Sequence, residues 1–104
     1  GNSFVHETES QVILNGSYNI NFTMDLVLKD TGLFDELAKK LKAPLEISPK
    51  VVEIFKDGQK KYGSRAWSSM IVKRMEDLNN VDFRADGFPE ELVDNEIEEN
   101  GYEI

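Results

Sequence analysis

The stretch FTMDLVLKDTGLFDELAKKLKAPLEISPKVVEIFKDGQKKYG, residues 22–63, reads as two helices joined by a proline-punctuated turn and closed by a glycine. In its first half Leu26, Asp30, Leu33, Leu37 and Leu41 recur every three or four residues, with Val27, Phe34 and Ala38 alongside. That spacing makes one wide apolar stripe and predicts a packed helix over residues 24–41. Phe22, Asp25, Lys29, Gly32 and Glu36 follow the same spacing on a different face. By spacing alone, Asp25 and Lys29 are an i,i+4 surface ion pair, worth about 0.2–0.5 kcal/mol. Gly32, lacking a Cβ, would let a backbone or a ligand come close to that face.

Working outward, Thr23 or Asn21 can cap this helix, and Asp25 in its first turn complements the dipole. Lys39, Lys40 and Lys42 crowd the opposite end, where cations are favoured. Ser48-Pro49 signals a second helix over 49–61, with a serine cap and proline where its missing N–H costs nothing. Val51, Val52, Ile54 and Phe55 give that helix its core face, and Gly63 ends it. Gly58 inside it weakens the helix by about 1 kcal/mol relative to alanine. A third helix is predicted over 66–78, with Trp67, Met70, Ile71, Met75 and Leu78 as its apolar face and Trp67 in the core.

The residues before this block are less decisive. Val12-Ile13-Leu14-Asn15-Gly16 suits a hairpin turn, and equally a helix that stops on Gly16 in the left-handed region. We take the helix, followed by an irregular connection to Phe22. The sum is an all-α fold, a small helical bundle with no sheet of consequence.

The run F-x-x-D-L-x-L-K-D-x-x-L, carried by Phe22, Asp25, Leu26, Leu28, Lys29, Asp30 and Leu33, resembles the C-terminal helical domain of the β-hydroxyacid dehydrogenases. That family includes 3-hydroxyisobutyrate dehydrogenase and relatives of 6-phosphogluconate dehydrogenase. The resemblance continues through Ala38, the turn Ala43-Pro44-Leu45, Glu53, Phe55 and Gly63, and spans residues 12–78. It implies that Lys29 contacts NAD or NADP near the nicotinamide. It also implies that Phe22, Asp25, Gly32 and Glu36 border the pocket of a small hydroxyacid, and that the chain forms a homo-oligomer. The family's catalytic lysine precedes the matched region. Lys29 is the first lysine here and no G-x-G-x-x-G occurs, so the expectation is no catalytic residue in this chain. The main cofactor grip would then lie in a separate Rossmann domain. Relatives tend to have a small residue where Gly58 stands, which implies close helix packing there, whereas Ala66 departs from the family, where an acidic residue often stands.

Charge narrows the partners. Residues 1–81 carry 11 Lys/Arg and 11 Asp/Glu, whereas residues 82–104 carry one arginine and nine acids, the whole of the net −8. No basic patch exists for nucleic acid, and no apolar run is long enough for a membrane span. The lack of cysteine fits a cytoplasmic protein. His6 beside Glu7 and Glu9 is a lone histidine and makes no metal site by spacing. We divide the chain into a helical domain, 1–93, whose last segment folds back through Val93, and an acidic fraying tail, 94–104. A second reading remains open: a stand-alone acidic helical module that binds a basic partner.

Overall fold

The computed structural model describes residues 1–95 and shows four α-helices with no strand among them. They are α1 (Phe4–Asn15), α2 (Met24–Lys40), α3 (Ser48–Tyr62) and α4 (Ile71–Asn79), the last preceded by a 3₁₀ turn at Ser68–Met70. The all-α reading holds. Ser3 caps α1 by accepting the His6 amide at 3.2 Å, which starts the helix earlier than the apolar pattern indicates. Gly16 ends it at φ 92°, its amide bonded to the Val12 and Ile13 carbonyls. The helix alternative at Asn15-Gly16 is therefore the one the chain adopts.

Helices α2 and α3 form an antiparallel hairpin. Near its open end Met24 lies against Gly58, where a Cβ would sit 3.3 Å from the Met24 Cε and 2.7 Å from the Ile71 Cδ1. At the other end the Ser48 hydroxyl donates to Asp35 at 2.7 Å. Met24 and Asp35 stand eleven residues apart, three helical turns, so one row of α2 faces α3 along its length. Three elements meet at Gly58, the close packing that the resemblance implies. Gly58→Leu should destabilise the chain by about 1–3 kcal/mol through overpacking, read from the urea midpoint. The turn between the helices is closed by Lys42 at φ 53° and by two bonds, Ala43 N to Ala38 O at 2.9 Å and Lys42 N to Lys39 O at 3.2 Å. This paired closure satisfies the carbonyls that the end of α2 leaves open.

Three expectations need correcting. The leucine stripe does not pack: Leu26, Leu33, Leu37 and Leu41 are exposed, Leu41 to 70%. Periodicity found the face, but α3 takes the Met24–Asp35 row and no other described element covers the leucines. Ser48 is the first residue of α3 rather than its cap, with its hydroxyl turned to Asp35. The third helix begins at Ile71, not at 66, because the preceding backbone is used otherwise. Thr23 and Trp67 form an isolated antiparallel bridge, with Ser68 N bonded to Phe22 O at 2.7 Å and Met24 N to Ala66 O at 2.9 Å. Trp67 is accordingly extended and half-buried.

The buried apolar core of the described residues is small: Val12, Tyr18 and Met24. On α4 the expected core residues Met75 and Leu78 are exposed, and Glu76 is buried instead, at 1% exposure. Its Oε1 accepts the Tyr18 hydroxyl at 2.6 Å and Arg84 Nη1 at 3.3 Å. Oε2 has no hydrogen bond, although the same guanidinium lies 3.3 Å away. Burial pushes the Glu76 pKa up, but the bonds from Tyr18 and Arg84 and the arginine's charge outweigh it and hold it below its ordinary 4.5. The unfolded chain therefore binds this proton more tightly than the folded one. The stability Glu76 contributes is complete above about pH 4.5 and is lost as pH falls through the lower folded value. Urea midpoints taken from about pH 7 down to about pH 3 should show a shallower acid limb in Glu76→Gln than in the wild type.

Candidate functional site

The bridge between Thr23 and Trp67 decides where the candidate face begins. It pins the entry of α2 against residues 64–68, with Asp25 N bonded to Ser64 O at 3.1 Å. From there α2 runs unbroken to Lys40, so Asp25, Lys29, Gly32 and Glu36 share one face by helical period. Phe22 stands before the helix, partly exposed, beside the bridge rather than on that face.

Asp25 and Lys29 do not pair. Asp25 is engaged by the Thr23 hydroxyl, by the Leu26 amide at 3.0 Å and by Arg65 Nη1 at 4.0 Å. These partners lower its pKa, the Thr23 hydroxyl bond most, and keep the carboxylate ionised. Thr23 thus spends its side chain on Asp25 instead of capping a backbone amide. Lys29 is exposed and makes no hydrogen bond or ion pair with the described residues. A Cβ on Gly32 would meet nothing within 4 Å, so the space the glycine leaves opens outward and serves no packing within the chain. Glu36 is exposed further along.

The arrangement is an open strip, not a cavity. It presents a free ammonium one turn from an ionised carboxylate, then a gap at Gly32. Such a strip suits an anionic ligand brought against it by another body: the ammonium supplies charge, and the bare helix backbone permits close approach. Among the described residues no cluster of three or more His, Asp or Glu side chains is placed to hold a metal. An apolar cleft of about 670 Å³ lies at the far end of the α2–α3 hairpin between Phe34, Pro44, Leu45, Ile47 and Val51, away from this strip.

Arg65 escaped the sequence reading. It is 86% exposed and reaches Asp25 only because the 63–67 turn is stitched to α2 by backbone bonds. No periodicity relates residues 25 and 65.

The described residues thus form an all-α domain whose hairpin carries a solvent-facing strip with Asp25 and Lys29 on its first helix. Residues 1–75 match the family described as NAD-binding of NADP-dependent 3-hydroxyisobutyrate dehydrogenase, and the chain belongs to that family. No curated protein and no solved structure gives a significant match. The matched region holds α1 to α3 and the start of α4, including the whole candidate strip. Family membership favours the dehydrogenase reading over a stand-alone acidic module. No helix among the described residues is long and apolar enough to cross a membrane.

Proposed function

We propose that this chain is the closing half of an NAD(P)-dependent oxidoreductase of the 3-hydroxyisobutyrate dehydrogenase type, acting on a small hydroxyacid. The observation that carries the reading is Lys29, which has no partner among the described residues although Asp25 lies one turn away. An exposed helical lysine beside an acid ordinarily leans on it; here the acid is already engaged by Thr23, Leu26 and Arg65. The ammonium is free to contact NAD or NADP and to offset the substrate carboxylate. The nicotinamide supplies the hydride chemistry when bound.

The remaining roles follow from placement. Gly32 leaves room for the cofactor to approach α2, and Glu36 and Phe22 border the substrate at the two ends of the strip. Asp25 holds Arg65 at the edge and keeps that edge polar. We assign proton transfer to or from the hydroxyl to a residue off the strip, because Lys29 serves as the cofactor contact and Asp25 is engaged by Thr23 and Arg65. The helical domain is residues 1–93, with 94–104 an acidic tail, and the setting is cytoplasmic.

The exposed leucines of α2 supply the association surface of a homo-oligomer, since so wide an apolar face on a chain with so small a buried core calls for a cover. Light scattering at micromolar concentration should give a mass above the 11.9 kDa of one chain. Leu37→Ala should move that mass toward the monomer, and an unmixed monomer in the wild type would refute the association. The cofactor reading is tested separately. The chain alone should not bind NAD or NADP measurably by calorimetry, since the glycine-rich pyrophosphate turn is not in its sequence. Tight binding by the chain alone would place the cofactor grip here and overturn this division of labour.

A further inference from the structure

Past the family-matched residues the chain turns back along α1, and the way it is held there is unusual. Gln11 grips Val93 at both main-chain groups: its Nε2 donates to Val93 O at 3.0 Å, and its Oε1 accepts Val93 N at 3.0 Å. Asn15 Nδ2 donates to Phe88 O at 2.9 Å, and the Ser17 hydroxyl donates to Glu90 O at 2.6 Å. Ala85 N in turn satisfies Leu14 O at 3.0 Å, one of the carbonyls the end of α1 leaves open. Each of these contacts reads backbone, not the identity of the docked side chains.

Side-chain chemistry adds one fixed point. Arg84 is the sole cation after residue 81, and it is the residue that inserts. Its Nη2 donates to the Tyr18 hydroxyl at 2.7 Å, its Nη1 lies 3.3 Å from both Glu76 oxygens, and its guanidinium covers the Tyr18 ring at 5.1 Å. Apolar anchoring is slight, since Phe83, Phe88 and Val93 all stay exposed. Charge does not favour the docking either: the segment carries Asp86, Glu90 and Glu91, and α1 carries Glu7 and Glu9 with no lysine or arginine. Apart from the pairing of Arg84 with buried Glu76, the segment is held by main-chain bonds with little apolar burial, so it opens locally at low cost once that latch is broken.

We propose that the outer face of α1 is a peptide-docking surface, and that residues 84–93 are its occupant, supplied by the same chain as a releasable strap latched by Arg84. Gln11 and Asn15 of α1, with Ser17 just past its end, form the reading row, and a segment that offers its main-chain groups after a leading arginine is the peptide chemistry it takes. Opening the strap uncovers this row and frees Tyr18, which sits in the connection leading to the candidate strip.

Amide hydrogen exchange on the whole chain tests this, with Ala85 and Val93 as reporters because both of their amides are bonded to α1. In Arg84→Gln the two amides should exchange roughly ten- to a hundredfold faster, while amides of α2 and α3 keep their protection. A labelled peptide spanning residues 81–95 should then bind the variant, and should bind the wild type far more weakly because its own strap competes. Gln11→Ala leaves Glu76, Tyr18 and Arg84 in place and guards against a variant that merely unfolds. In it Val93 should lose protection with α2 and α3 intact. Unchanged Ala85 and Val93 in a folded variant would overturn the proposal. So would equal loss of protection in α2 and α3 of Gln11→Ala, which would make the strap part of the cooperative core. Failure of the peptide to bind a variant with an opened strap would remove the docking surface.

Discussion

Lys29→Ala in a protein that joins this domain to a nucleotide-binding domain should lower kcat/KM for hydroxyacid oxidation roughly ten- to a hundredfold. That span corresponds to about 1.5–3 kcal/mol, the contribution of a hydrogen bond to a charged group. The same substitution in the isolated chain should leave the melting temperature nearly unchanged, because the ammonium is exposed and has no partner among the described residues. The contrast between the two readouts separates a ligand contact from a structural residue. If cofactor contact dominates, KM for NAD or NADP should rise most. If the substrate carboxylate dominates, the change should fall on the hydroxyacid. Wild-type kinetics in Lys29→Ala would return the residue to the solvated surface.

Met24→Ala should have the largest effect on stability, about 2–5 kcal/mol. Met24 is fully buried, and its thioether lies where α2, Gly58 of α3 and Ile71 of α4 converge. Truncation leaves a cavity at the one point where three helices meet, and Gly58 offers no side chain to fill it. Leu37→Ala makes the matched control. Leu37 belongs to the stripe with the stronger periodicity, yet it is exposed, so its removal should change the stability of the folded monomer by no more than about 0.5 kcal/mol. Equilibrium urea denaturation of the two variants at low protein concentration decides between the faces. A larger loss in Leu37→Ala than in Met24→Ala would mean that the leucine stripe, and not the Met24 row, carries the core.

That pair also shows what the sequence can and cannot convey. The helices at residues 24 and 48, the stop at Gly63, the left-handed Gly16 and the tight spot at Gly58 are local matters of capping, φ angle and side-chain volume, and were legible. Which face of α2 is covered depends on where α3 crosses it, and both candidate rows have helical spacing. The α4 boundary slipped because Trp67 gives its backbone to a bridge with Thr23, a pairing across more than forty residues. Glu76 was read past as one more charge on a helix. Its partners come from the α1–α2 connection and from the returning strap, 58 and 8 residues away, and only folding places them together.

At the candidate site the sequence located Lys29 and Asp25 and the shared face, but assumed the wrong relationship between them. An i,i+4 acid and base pair by default; Thr23 and Arg65 claim Asp25 first. The lysine's freedom is therefore a product of tertiary structure. The motif says where a cation stands, and the Thr23 and Arg65 contacts to Asp25 say why it is available.

The most direct test of the account is hydride transfer itself. The domain, joined to a nucleotide-binding domain, is mixed with NAD or NADP and a series of short hydroxyacids, and the reduced nicotinamide is followed by absorbance. The account predicts reduction of one of the two cofactors by a small hydroxyacid, with the rate falling roughly ten- to a hundredfold in Lys29→Ala. No reduction with any hydroxyacid in a folded, cofactor-binding protein would contradict it.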